Sequence, residues 1–80
     1  MAQHEVRTPI PGVFYRRPAP DQPEYVVVGE SVTAGQTIGL VEVMKQYAEI
    51  KAGVDGTIVS FQVEGDDIIG PGDVIAIIEV

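Results

Sequence analysis

The strongest constraint on this chain is that it nearly repeats itself. Val32-Thr33-Ala34-Gly35-Gln36-Thr37-Ile38-Gly39-Leu40-Val41-Glu42-Val43 is echoed by Ile68 through Val80, which closes on Asp73-Val74-Ile75-Ala76-Ile77-Ile78-Glu79-Val80. Gly35 aligns with Gly72 at an offset of 37, and Gly29 with Gly65 at an offset of 36. Upstream, Val6 through Phe14 aligns with Ile50 through Ile58 at an offset of 44. Nine glycines and six prolines are spread so that no window of a dozen residues holds a convincing helix. The apolar residues instead form short β-branched runs: Val26-Val27-Val28, Ile38 to Val43, Thr57-Ile58-Val59, Val74 to Ile78. Short strands with frequent turns indicate an all-β fold. Neither copy can bury its apolar face alone, so the expected architecture is a flattened β-barrel or sandwich of two quasi-two-fold-related halves.

Composition narrows the function. Eighty residues make one domain, 1–80, that buries roughly 60–65% of its unfolded surface. Twelve acids against five bases give a net charge of −7, the wrong sign for holding phosphates, so no nucleic-acid partner is expected. No apolar run approaches the roughly 20 residues of a membrane helix, and no apolar segment follows Met1 that could serve as a signal peptide. A cytoplasmic protein without a membrane partner is the expectation. The absence of cysteine excludes disulfides and thiolate zinc sites. The one histidine, His4, falls in residues 1–5, expected to be frayed, so no catalytic residue is assigned. Glu64-Gly65-Asp66-Asp67 with Asp73 lacks calcium-loop spacing and reads as an exposed turn, so no metal site is assigned either.

The change of offset from 44 to 36 places eight extra residues in the first copy, between about Tyr15 and Val28. Residues 16–24 are the candidate, comprising Arg17, Pro18, Ala19, Pro20, Asp21, Gln22, Pro23 and Glu24 after Arg16. Such a loop can be a tolerated surface insertion with few buried contacts. Three prolines stiffen it, however, which favours a rigid protrusion with a use.

The repeat also breaks after Val43, where the first copy continues into Met44-Lys45-Gln46-Tyr47-Ala48-Glu49-Ile50. With Met44-Lys45 as a two-residue turn, Val43 faces Gln46, Glu42 faces Tyr47 and Val41 faces Ala48. Val41, Val43, Ala48 and Ile50 then share the inward face, and Glu42, Tyr47, Glu49 and Lys51 the outward one. Met-Lys contradicts the chemistry of tight hairpins, which favour Asn-Gly or Asp-Gly. It also exposes a methionine beside one of only two lysines. Local rules tend to fail at functional sites, although a turn lysine is most often simply solvated.

Glu42-Val43-Met44-Lys45 resembles the Glu-Ala-Met-Lys or Glu-Val-Met-Lys hairpin of biotinyl domains. The resemblance covers nearly the whole chain. Pro11-Gly12-Val13-Phe14-Tyr15-Arg16 and the following Pro-Ala-Pro are similar to the segment leading into the thumb of the biotin carboxyl carrier protein family, of the bacterial acetyl-CoA carboxylase type. Val28-Gly29-Glu30-Ser31-Val32, Ala34-Gly35-Gln36-Thr37 and Asp55-Gly56-Thr57-Ile58 match further family steps. Gln46 stands where many members carry a second methionine.

The resemblance implies a non-catalytic carrier with biotin in amide linkage on Lys45. Met44, Val43, Glu42 and Gln46 would form the hairpin read by a biotin protein ligase, with Glu42 and Glu49 as recognition charges and residues 16–24 as the thumb. A biotin carboxylase would load the arm from bicarbonate, and a carboxyltransferase would unload it, as in the acetyl-CoA carboxylase of fatty acid biosynthesis. Two other classes remain open: a lipoyl carrier domain of a 2-oxo acid dehydrogenase-type complex, and an unmodified adaptor sandwich in which Lys45 is dispensable.

Overall fold

A computed structural model describes residues 2–80 of the chain. It contains eight strands: β1 (Gln3–Arg7), β2 (Gly12–Tyr15), β3 (Ser31–Val32), β4 (Thr37–Val43), β5 (Gln46–Lys51), β6 (Gly56–Phe61), β7 (Ile68–Ile69) and β8 (Val74–Glu79). They form two four-stranded antiparallel sheets, ordered β1-β8-β6-β3 and β5-β4-β2-β7. Exchanging β1 with β5, β2 with β6, β3 with β7 and β4 with β8 turns one order into the other. That is the two-fold expected from the repeat. Each sheet takes two strands from each half, so the halves interlock and neither possesses a sheet of its own. The extents of 38 × 27 × 20 Å match a flattened sandwich.

The inner faces bury Phe14, Ile38, Val41, Ile50, Ile58, Ile75 and Ile78. β-Branched residues suit these pleated surfaces, where alternate side chains point to the same face. Two glycines let strands pass closely. A Cβ on Gly12 would run into the carbonyl oxygen of Glu42, and one on Gly56 into that of Glu79. These two sites are related by the two-fold.

Three expectations need correction. Residues 1–5 are not a frayed end as far as they are described: β1 pairs Gln3 with Glu79 and His4 with Ile78, while Val80 N–H donates to the Ala2 carbonyl. Met1 lies outside the described residues. The run Val26-Val27-Val28 is not a strand; Val26 enters the core while Val27 and Val28 are exposed before the Gly29 turn. The insertion is seven residues rather than eight. Ser31–Val32 and Ile68–Ile69 align at 37, and the offsets 44 and 37 differ by seven. Gly29, with φ 95°, therefore corresponds to Asp66, with φ 72°, and not to Gly65.

Candidate functional site

The β4–β5 hairpin has the register read from the sequence: Val43 opposite Gln46, Glu42 opposite Tyr47, Val41 opposite Ala48. Its two apex residues have φ of 51° at Met44 and 65° at Lys45. Positive φ at both central positions is the type I′ geometry that matches the twist of the strands. For residues bearing a Cβ this backbone costs about 1–2 kcal/mol each. The flanking ladder holds it, because Val41 and Ile50 are buried and Val43 packs against the core. Met44 is 90% exposed, so nothing it touches offsets the strain. Among the described residues Lys45 is in no ion pair, whereas Lys51 lies within β5 and bonds Glu49 and Thr37, each at 3.0 Å.

Below the tip, the outward face carries an ordered polar group. The Tyr15 hydroxyl donates to Glu42 Oε1 at 3.0 Å, and the Tyr15 and Tyr47 rings lie 6.4 Å apart at 47°. The bond to the Glu42 carboxylate, with lesser contributions from burial and neighbouring charge, holds the Tyr15 phenol above its ordinary pKa. Glu42 and Glu49 are thus both engaged within the chain, to Tyr15 and Lys51 respectively.

A groove of about 590 Å³ lies on this side of the molecule. It is lined by Tyr15, Leu40 and Tyr47 of the hairpin sheet, by the insertion (Arg16 to Pro20, with Glu24), and by the β6–β7 turn Glu64-Gly65-Asp66. Tyr47 is two strand residues from Lys45, about 7 Å along β5. The turn is cross-braced to β2: Asp66 N–H donates to the Phe14 carbonyl at 2.7 Å, and Phe14 N–H to the Asp67 carbonyl at 2.9 Å. Among the described residues only Met44, Lys45 and Asp66 combine a side chain with left-handed backbone. Two form the tip and the third lines the groove.

The insertion is tied down more firmly than a bare surface loop. Tyr25 N–H donates to the Arg16 carbonyl at 2.9 Å, closing the loop at its base, and Gln22 N–H donates to the Ala19 carbonyl at 3.0 Å. Arg16 and Arg17 reach opposite oxygens of Glu24 at 3.5 and 3.6 Å. Arg17, Pro18, Ala19, Pro20 and Glu24 line the groove; Asp21, Gln22 and Pro23 do not. Leu40 had a signal in the sequence, as an apolar residue on the outward face. Tyr47 had the same signal, on the outward face opposite Glu42; Tyr15 and Asp66 had none, since their place in the groove depends on β2 lying between β4 and β7 in one sheet.

Fold and tip together define a class: a two-fold β-sandwich that presents one lysine on a strained, well-anchored hairpin. The chain belongs to the biotin–lipoyl family, whose model, described as "Biotin-requiring enzyme", matches residues 4–78. Similar proteins include the biotin carboxyl carrier protein of acetyl-CoA carboxylase of Pseudomonas aeruginosa, 46% identical over 59 residues, covering 74% of this chain and 38% of that protein. The protein of the same description in Streptococcus pyogenes is 41% identical over 64 residues, covering 80% of this chain and 39% of its own length. The chloroplastic one of Glycine max is 44% identical over 59 residues, covering 74% of this chain and 22% of its own length. The chain thus spans between about a fifth and two fifths of these relatives. The fold is shared with a crystal structure of Kluyveromyces lactis urea carboxylase (TM-score 0.80, 23% identity, 99% of this chain and 6% of that one). No helix in the described residues is long and apolar enough to cross a membrane.

Proposed function

We propose that this chain is a biotin carboxyl carrier module of an acetyl-CoA carboxylase-like enzyme, with biotin covalently attached to Lys45. It catalyses nothing itself. The observation that carries the reading is the left-handed Met44-Lys45 apex, which keeps a strained backbone to place one lysine clear of the sandwich. The relatives named above are biotin carriers, which supports biotin over the lipoyl and adaptor readings.

The residues suit the group. The groove offers apolar surface from Leu40, Pro18, Ala19 and the two tyrosines, and its lining also includes the donor residues Arg16 and Arg17 of the insertion and the acceptor residues Glu64 and Asp66 of the β6–β7 turn. A ring bearing both N–H donors and a carbonyl acceptor matches that set. When bound, biotin supplies a ureido nitrogen that takes up a carboxyl group and later gives it to an acceptor.

The chain's own part is attachment, presentation and shelter. In a biotin protein ligase the Lys45 ammonium loses a proton, and Nζ attacks the acyl carbon of biotinyl-adenylate; the amide bond forms as the bond to adenylate breaks. Met44, Val43, Glu42 and Gln46 present the lysine, and the fixed turn lowers the ordering needed for productive approach. A biotin carboxylase and a carboxyltransferase are the partners in turnover. Tethering gives both a high effective concentration of the arm. The thumb, Arg17 through Glu24, covers the ring between visits through the residues that line the groove, Arg17, Pro18, Ala19, Pro20 and Glu24. We place the module in the cytoplasm, which cell fractionation tests.

Coexpression with a biotin ligase, followed by intact mass and peptide mapping, tests the assignment of Lys45. One biotin on the peptide containing Lys45 is expected, with none after Lys45→Arg. Labelling that persists in that variant, or moves to Lys51 in the wild type, would overturn it.

A further inference from the structure

Arg16 lies where β2 ends and the thumb begins, and its side chain does not follow either. The guanidinium stacks 4.1 Å above the ring of Phe61, the last residue of β6, which belongs to the opposite sheet. From there Nη2 reaches back to Glu24 Oε1, near the far end of the thumb. The Arg16 carbonyl meanwhile accepts the Tyr25 N–H. One residue therefore joins both roots of the thumb and ties them to the other half of the molecule.

The contact is held at a cost. The Arg16 side chain is only 19% exposed, and its Nε is buried with no hydrogen-bond partner among the described residues. Such an orphaned donor is destabilising, and an arginine whose only task was solubility would swing outward to relieve it. The neighbouring Arg17 is 46% exposed and reaches the other oxygen of the same carboxylate. A planar guanidinium can stack on a ring and bond a carboxylate at once, which a lysine ammonium does poorly. At the two-fold-related position, Ser60, the chain has no thumb and no such pin.

We infer that Arg16 is a positioning residue: its guanidinium, clamped between Phe61 and Glu24, pins the thumb so that the groove beside Lys45 exists before anything enters it. The arm on Lys45 then finds a preformed cover, with little loop ordering to oppose docking. Without the pin the thumb moves freely about Tyr15 and Tyr25, and the groove closes or dissolves. This rests on the thumb-as-cover reading only in its second half, because the order of the thumb is measurable on the unmodified chain.

The test uses Arg16→Met, Phe61→Leu, Phe61→Trp and Glu24→Gln in the full chain. Amide relaxation of Ala19, Asp21 and Gln22 and hydrogen exchange at Tyr25 report on the thumb; exchange at Val41 and Ile58 reports on the core. Arg16→Met and Phe61→Leu should speed Tyr25 exchange about tenfold, the size expected for a partly desolvated cation–π contact, with core amides unchanged. Phe61→Trp should restore protection because it keeps an aromatic face. Should Arg16→Met fail to fold, Phe61→Leu and Glu24→Gln carry the test. Unchanged thumb order, equal loosening in Phe61→Trp and Phe61→Leu, or core amides accelerating in parallel would each overturn the pin. On the biotinylated chain the same variants should raise the mobility of the ring's N–H groups. A loosened thumb with unchanged ring mobility would support the pin and overturn the cover.

Discussion

Replacing the apex with Asn-Gly, as Met44→Asn together with Lys45→Gly, should make this protein more stable while removing its attachment point. Both positions have positive φ, which costs a residue with a Cβ about 1–2 kcal/mol. Asparagine recovers part of that cost and glycine nearly all of it. Against the gain stands glycine's extra freedom in the unfolded chain, about 0.5–1 kcal/mol. Met44 is 90% exposed, so its removal loses almost no buried apolar area. The net expectation is a gain of about 1–2 kcal/mol. For a chain of this size that raises Tm by roughly 5–15 °C. Thermal melts and urea titrations of the unmodified protein read it, with the urea slope unchanged if only the folded state is affected. Lys45→Arg, which keeps the strained geometry, should stay within about 0.5 kcal/mol of wild type. A double variant no more stable than wild type would show that the turn is not strained, and the claim that the tip is kept for function would lose its physical basis.

Gly56→Ala should cost about 3 kcal/mol, since its Cβ would enter the Glu79 carbonyl and force β6 away from β8; a loss under about 1 kcal/mol in urea would contradict the close approach. Tyr15 has its pKa raised by the bond to Glu42, so its contribution is fully present below the unfolded value near pH 10 and is lost as pH rises through the folded one. Tyr15→Phe should flatten that alkaline loss without abolishing it, because burial also raises Tyr25; urea melts either side of pH 10 and ultraviolet titration decide this. Gln46→Met should speed biotinylation at limiting ligase, as measured by mass spectrometry; an unchanged or slower rate would mark Gln46 as fitted to its own ligase.

Much of this molecule is legible in one dimension because it is built twice. The two-fold, the pairing of Val41, Glu42 and Val43 with Ala48, Tyr47 and Gln46, and the exposed Met44 all follow from local periodicity and the repeat. Interactions that belong to neither local pattern nor repeat stayed hidden. Arg16 meets Phe61 only because two sheets stack, and the groove exists only because a turn from the second half faces an insertion in the first. The irregularity between Thr37 and Gly39, which offsets the β4–β5 register by one, leaves no mark in the apolar pattern. Alignment by glycines placed Gly65 opposite Gly29, whereas Asp66 takes up the left-handed turn, as short polar side chains can.

The interlocking of the halves also governs the order in which this protein can acquire structure. Among the described residues β1 has β8 as its only neighbour, and β3 has only β6, so early strands wait for late ones. During synthesis β4 can pair with β2 once the first half has emerged, and with β5 directly afterwards, while β1 remains unmatched until Val74–Glu79 has left the ribosome. Nearly all closure is therefore long-range, and folding should be slow for so short a chain and all-or-none. Among the described residues the β4–β5 hairpin is the one pairing of adjacent strands, so the segment displaying Lys45 is the place where folding can begin before its partners arrive.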